Sequence, residues 1–570
     1  MLPTASVQSV NQASAAEPAH PVDKFDEYED AEKNFQPKSL KFWTIIIGMY
    51  LSIFLVALDR TIIATAIPRI TDEFNSIEDI GWYGSAYMLT AACFNLVFAR
   101  IYQLYSTKWV FLISIVIFEV GSALCGAAPN STAFIIGRAI AGLGSAGIFS
   151  GGMMIILPLI PLRKRPIFTS IFGMAFGVSS VLGPVIGGTF TDEVTWRWCF
   201  YLNLPIGGFT ILATLFFFHV KPPNGEKLTV IAQINRLDPI GVFFFVPSMV
   251  CLILALQWGG STYPWSAPKI IGLLVTFAVL FVIFIVVEVL KPETAMAPAR
   301  IVLNRSIAGS MTFMFLLSGG MMSVVYYLTI WFQAAKGDSA MNAGISTIPL
   351  VLSLVIMSIV AAIFTQKIGY YVPAMLISPL LCSIGAGLLS TLSPSSEHSY
   401  WIGYQVLYGL GIGCGFQASN LAAQTVLPRA DVPLGLALMF FMQQLGGSVF
   451  LSIGQNIFSS KLVDRLSGFV GLDAVIIINT GATDLRSIVP SSELETVVEA
   501  YSYALTRVFI MTAVLSACMV LGSLAVEWKS IKAEKGSGGP ANPAEARLEE
   551  AESVAKSQNA LEMEKDVDSN

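Results

Sequence analysis

Charge is scarce in this sequence. Asp, Glu, Lys and Arg make up 12% of the 570 residues, against 54% hydrophobic residues. A soluble globular chain carries about 25% charged residues. With a mean hydropathy of +0.68, most of this chain must be solvated by something other than water. Histidine is nearly absent too. His20, His219 and His398 lie far apart, which removes a histidine-built metal site or catalytic triad. No paired catalytic carboxylates and no nucleophile motif appear, so an enzyme is not expected. The seven cysteines all fall in apolar segments without metal-type spacing, so they read as small packing residues rather than disulfides or ligands. No nucleotide-binding P-loop occurs, and the soluble stretches are too short for an ATPase domain. The formal charge of -5 comes from acidic tails and gives no case for nucleic acid.

What is present is a succession of apolar runs, each near the ~20 residues that span a bilayer. We place about fourteen, at 43–67, 81–104, 108–128, 132–157, 166–190, 198–219, 239–258, 269–290, 306–331, 342–365, 371–392, 400–426, 432–458 and 503–527. The expected fold class is an all-α polytopic membrane protein. Residues 1–38 lack an apolar h-region, so no cleavable signal is expected. The polar ends, 1–41 and 529–570, read as disordered tails.

Loop charges orient the chain. With the N-terminus inside, inner loops hold Arg100, Lys108, Arg163, Lys164, Arg165, Lys221, Lys227, Arg236, Lys291, Arg300, Arg305, Lys367 and Arg429. Outer segments hold few, so the positive-inside rule puts both termini in the cytosol. Of two glycosylation sequons, that at Asn130 lies outside but almost at the membrane and is expected unused. That at Asn304 lies on the cytosolic side.

Long inner connections near 220–238 and 291–305 bracket two spans with almost no polar residues. These look like lipid-facing additions (220–305) between two six-helix halves, 42–219 and 306–528, the second carrying an outer loop at 459–502. A weak repeat, ARIYQLYSTKWVF in the first half and IFTQKIGYYVPAM in the second, supports the division and is typical of secondary transporters.

Four charges lie inside the spans of the first half. The stretch LSIFLVALDRTIIATAIPRI carries Asp59 and Arg60 in its middle. At ~1.5 Å rise per residue, Asp59, Glu119 and Arg138 come to one depth on three helices, with Arg60 close by. Such charges are costly in a bilayer unless they face partners or a cavity. They form either a proton or substrate site, or a network that only locks helices together. Asp59 and Arg60 point about 100° apart on one helix. Which of Arg60 and Arg138 holds Asp59 stays open. The second half offers neutral groups instead: Gln333, Gln417, Asn420, Gln424, Gln443 and Gln444, with Tyr326, Tyr327, Trp331 and Phe332. This pattern suggests protons handled by the first half and an amide- and aromatic-lined substrate wall in the second.

Two glycine-rich stretches stand out. GVSSVLGPVIGG runs from Gly177 to Gly188; Pro184 bends a helix, while Gly183, Gly187 and Gly188 let a neighbour approach. GRAIAGLGSAG, earlier in the chain at 137–147, has close-contact glycines after Arg138. No strand precedes it, so it is no dinucleotide fingerprint.

Together these stretches resemble the major facilitator superfamily, in its fungal fourteen-span drug:proton antiporter branch. LDRTIIATAIP (Leu58–Pro68) is similar to the branch's first-helix signature, GRAIAGLGSAG to the fourth-helix motif with its buried Arg138, and GVSSVLGPVIGG to the antiporter motif. WRWCFYLNLPIGG (Trp196–Gly208) is similar to the start of helix six. The resemblance covers residues 42–530. It implies two six-helix bundles plus two extra helices, rocking alternating access, and export of small organic compounds (toxins, drugs or secondary metabolites) driven by a proton gradient with no other cofactor. It also implies a monomer whose partners are substrate, protons and lipid. Asp59 would be the protonated carboxylate and Arg138 would tune it. The loop between helices two and three departs from the family pattern: Ala99 replaces a glycine and the acidic residue is absent, while Arg100 and Lys108 remain as candidates for the cytosolic latch. Other proton-coupled carriers, such as siderophore carriers, and a non-transporting nutrient sensor stay as alternatives. The plasma membrane is the first expectation and the vacuolar membrane the second.

Overall fold

A computed structural model describes residues 31–74, 76, 79–218, 229–260, 263–292, 294–466, 489 and 493–532. Most of both tails, the connection at 219–228 and the greater part of the expected outer loop lie outside these residues.

The first half comprises α1 (Leu40–Phe74), α2 (Ile80–Leu104), α3 (Thr107–Gly126), α4 (Ser131–Leu159), α5 (Arg165–Glu193) and α6 (Asn203–Phe217). Two linking helices follow, α7 (Pro239–Trp258) and α8 (Pro268–Leu290). The second half comprises α9 (Arg305–Trp331), α10 (Ile348–Ile368), α11 (Val372–Leu389), α12 (His398–Gly415), α13 (Ala418–Val426), α14 (Val432–Leu466) and α15 (Leu494–Ala525). Twelve helices among the described residues are long and apolar enough to cross a membrane, so the expected fourteen are not all found. The predicted span 400–426 is broken at Phe416 and Gln417 into α12 and α13. Glycine and amide content explains the break, because four glycines crowd the last turns of α12 and weaken the helix. The span 166–190 corresponds to α5, a 29-residue helix that is not among the twelve.

Helix starts follow local chemistry. Asn130 caps α4 by accepting from the Ala133 N–H, and Asn304 caps α9 by accepting from Ser306 and Ile307. Both sequon asparagines therefore serve as caps. Asp238 caps α7 ahead of Pro239 at its first turn. Gly369, at φ 92°, ends α10 in the left-handed region that a side chain would resist.

Helices of the first half pack as α1 with α5 and α6, and α4 between α2 and α3. The close approach of α4 depends on glycine. A Cβ at Gly142 would strike the Tyr87 backbone, and one at Gly144 or Gly147 would strike Phe118 or Ser114. In the second half α9 packs on α14 and α15, and α12 lies between α10 and α11. The halves meet along α5 with α10 and along α2 with α14.

We call the end where α1 begins the proximal end. There the structure differs from the expected tail boundaries. Asn34 donates to the Pro158 carbonyl, and Phe35 packs edge-on against Phe42 and Phe168 at 5.5 and 6.3 Å. Ile531 N–H donates to the Gly369 carbonyl at 2.8 Å. The chain is thus pinned before α1 and after α15 by aromatic and backbone contacts. The outer loop is also shorter than 459–502, because α14 continues to Leu466 and α15 starts at Leu494.

The linking helices are not both lipid-facing additions. α8 is, with Val275, Val279 and Val282 more than half exposed. α7 instead covers the seam between the halves, touching both α2 and α14. Phe245 is buried against Phe284 and Phe441, and Ser452 donates to the Leu256 carbonyl. Their proximal ends are polar and buried: Glu288 accepts from the N–H groups of Met296 and Ala297, and Asp238 is 2% exposed.

Candidate functional site

Asp59 sits in α1 where the helix faces α4. Arg138, about two turns inside α4, donates from Nη1 to Asp59 Oδ2 at 2.5 Å, and the two side chains are 1% and 0% exposed. Arg138 Nε donates to the Tyr83 carbonyl at 2.9 Å, and its guanidinium lies 4.5 Å from the Tyr87 ring centre and 5.9 Å from that of Phe200. Asn203, at the start of α6, donates to Asp59 Oδ1 at 3.4 Å and to Ser122 Oγ at 3.1 Å. Four helices, α1, α3, α4 and α6, are joined through one ion pair. Arg138 therefore holds Asp59, and Arg60 does not.

Glu119 belongs to the same layer but not to the bond network. It is 7% exposed, and neither carboxylate oxygen has a hydrogen-bond partner. Its Oε1 lies in the space a side chain on Gly207 would fill, so a residue without a Cβ in α6 accommodates the carboxyl. The expected sign-balanced cluster of four is thus one tight pair with two separated charges. Asp59 and Arg138 satisfy each other, and the helix turn carries Arg60 to another face.

That other face lines a small cavity between the halves. Arg60, Asn95, Phe149 and Phe176 come from the first half, Phe440, Gln443 and Gln444 from α14. Arg60 Nη1 donates to Gln444 Oε1 at 3.5 Å. Asn95 accepts from Ser150 at 2.7 Å and donates to the Ala437 carbonyl at 3.2 Å, crossing the seam. Phe149 and Phe440 meet edge-on at 4.0 Å between centroids.

Of the predicted wall, the structure brings Gln443 and Gln444 to the cavity. Gln417 and Asn420 are outside its lining and bond each other at 3.3 Å, and Gln424 accepts from Arg165 at 3.4 Å. Tyr327 and Trp331 lie elsewhere. They are fully buried in the second half's own core, bonded to the Leu451 carbonyl and to Ser502. Phe332 is buried beside them and Gln333 sits in the π-helical turn Phe332–Lys336.

The glycine motif of α5 serves two contacts. Gly183 and Gly187 lie against Thr61, Ile62 and Thr65 of α1, and Thr61 donates to the Ser179 carbonyl at 2.8 Å. Gly177 faces Val351 and Val355 of α10 across the seam. Gly188 faces open space. The side chain of Pro184 lies outside the described residues.

The latch candidates are tied locally. Arg100 Nη1 donates to Gln103 at 2.9 Å, and Lys108 donates to the Leu215 carbonyl at the end of α6. Gln103 in turn donates to the Ala430 carbonyl at 2.7 Å. Arg300, from the short helix Ala299–Val302, forms a two-pronged ion pair with Asp431. That bond raises the Arg300 pKa. The Gln103–Ala430 and Arg165–Gln424 bonds cross the seam at the proximal end. At the distal end Glu73 accepts from Trp196 at 2.6 Å and from Arg197 at 2.7 Å. The Trp196 bond, then Arg197, holds its carboxyl below the usual range.

Sequence reading missed Asn203, Tyr87 and Asn95. Asn203 and Asn95 were visible as lone amides inside apolar spans. Tyr87 carried no such mark.

The comparisons agree with this geometry. The family described as Major Facilitator Superfamily matches residues 49–451. The MFS-type efflux pump MFS1 of Arthroderma benhamiae is 51% identical over 509 residues, covering 89% of this chain and 95% of its own. The efflux pump aflT of Aspergillus parasiticus is 45% identical over 508 residues, covering 88% and 99%. Among solved structures, the human organic anion transporter MFSD10 shares the fold at a TM-score of 0.54 and 14% identity, covering 84% of this chain and 100% of its own. The chain belongs to the major facilitator superfamily and to its efflux-pump branch.

Proposed function

We propose that this transporter exports small organic compounds in exchange for protons by alternating access of the central cavity. The observation that carries the reading is the buried Asp59–Arg138 pair held by Asn203 one residue from a cavity-lining arginine. A proton on Asp59 removes the charge that Arg138 balances, and the lone Arg138 charge then favours an arrangement that gives it other acceptors. Coupling between proton and cavity runs through α1, which carries both Asp59 and Arg60. The proximal end is the cytosolic end in this reading, with both termini in the cytosol, and the plasma membrane is the first site to examine. The closed proximal seam then corresponds to a state shut toward the cytosol.

The test is transport by the full chain in proteoliposomes under an imposed pH gradient. Wild type moves a fluorescent toxin against its gradient, and a protonophore abolishes the movement. Asp59→Asn loses gradient-driven movement. Full proton-driven export by Asp59→Asn refutes the assignment.

A further inference from the structure

The cavity wall carries one full charge, and nothing in that wall balances it. Arg60 is the charged residue among those lining the cavity. Its chain neighbour Asp59 points about 100° away around the helix and is bound to Arg138 at 2.5 Å. Glu119 lies against Gly207 on α6. The Arg60 guanidinium makes one long hydrogen bond, 3.5 Å to Gln444, and its Nε is buried with no partner. Tyr87 and Phe176 lie 5.5 and 6.0 Å from it at their ring centres. A guanidinium is a planar fork of donors that matches a carboxylate. Held in a low-dielectric cavity without a counter-charge, it favours any occupant that supplies one.

The rest of the wall limits what that occupant looks like. Phe149, Phe176 and Phe440 offer ring surface, which suits a flat conjugated body. Gln443 Oε1 is buried and without a partner, so it can accept from a hydroxyl on the same ligand. A cationic compound would find Arg60 and no carboxylate to offset it.

We propose that this cavity binds planar organic acids and phenols, with Arg60 holding a carboxylate, phenolate or enolate oxygen and the phenylalanines packing on the ring system. The assignment rests on the export reading and narrows its substrate class.

The test uses the purified full chain and three probes that share one ring system: naphthoate, naphthol and naphthylmethylammonium. Binding is read by equilibrium dialysis. Naphthoate binds wild type at least about ten-fold more tightly than the ammonium probe, as an uncompensated charge requires. Arg60→Gln loses that preference, and Arg60→Lys keeps part of it. Thermal melting and gel filtration verify that both variants are folded. Equal affinity for the two charged probes, no binding of naphthoate, or unchanged naphthoate binding by Arg60→Gln overturns the proposal. A second arm loads the probes into proteoliposomes under a proton gradient. Arg60-dependent naphthoate binding without transport refutes the export reading and leaves the site. Arg60-independent export of the ammonium probe refutes the site and leaves the export reading.

Discussion

The Asp59–Arg138 pair makes a prediction that needs no knowledge of substrate. Removing one partner of a buried ion pair costs about 3–5 kcal/mol, because the other charge stays behind. The two ends of this pair are supported unequally. Arg138 keeps the Tyr83 carbonyl at 2.9 Å and the Tyr87 ring at 4.5 Å. Among the described residues Asp59 keeps Asn203 alone, at 3.4 Å. In Asp59→Asn the amide oxygen still accepts from Arg138, so we expect a smaller loss of about 2–3 kcal/mol. Arg138→Gln strands the carboxylate and costs the full ~3–5 kcal/mol. The double variant strands no charge. It should be more stable than Arg138→Gln alone, with a coupling energy of about 2 kcal/mol or more. The assay is reversible denaturant unfolding of the four proteins in mixed micelles. Losses that simply add, to within about 0.5 kcal/mol, would refute the claim that the two groups act as a pair.

Glycine packing predicts that Gly144→Leu abolishes folded protein on gel filtration, since Phe118 backbone occupies the site, while Gly188→Ala, with open space around it, melts like wild type. At the distal clamp, Glu73 has a lowered pKa because Trp196 and Arg197 bond its charged form. Its contribution is therefore present above the ordinary carboxyl value of 4.5 and is lost as pH falls through the lowered one. Glu73→Gln should flatten the acid limb of the melting profile, and an unchanged limb counts against the clamp. Beside the Gln103–Ala430 bond that crosses the proximal seam, Asp431→Asn removes the charge partner of Arg300. We expect faster cysteine labelling of residues lining the cavity from that side, and no change in labelling would show that the ion pair does not help close the seam.

Much of the fold was legible because membrane spans are written in composition. Helix positions followed from apolar length, and the common depth of Asp59 and Arg138 followed from counting rise per residue. What the count could not give was direction around the helix axis. It grouped Arg60 and Glu119 with the pair, while the structure sends Arg60 into the cavity and Glu119 against α6. The same limit explains Tyr327 and Trp331, whose aromatic character suits a cavity wall and a core equally well. The linking helices misled for another reason. α7 and α8 are both strongly apolar, yet α7 is the one that covers the α2–α14 seam. A stripe of apolar residues does not say whether lipid or a neighbouring helix covers it.

The adjacent charges that interrupt the first span take separate tasks in the proposed reading. Under the proposed exchange, Asp59 answers to protons and Arg60 to the substrate, and a single helical step connects them. Protonation of Asp59 loosens α1 from α4 because Arg138 loses its counter-charge. Any resulting turn of α1 also moves Arg60 relative to Gln444 and Phe176. An acidic ligand on Arg60 resists that turn until its oxygen is released. Proton and substrate then compete through the rotation of one helix, although they never share a site. This separates the mechanism from one in which both occupy the same carboxylate. In the shared-site case, Arg60→Lys would leave the apparent proton affinity unchanged at saturating substrate. In the coupled-helix case it shifts, because the ligand's hold on α1 is weaker while Asp59 and Arg138 are intact. Measuring transport against pH at saturating naphthoate, for wild type and Arg60→Lys, decides between the two.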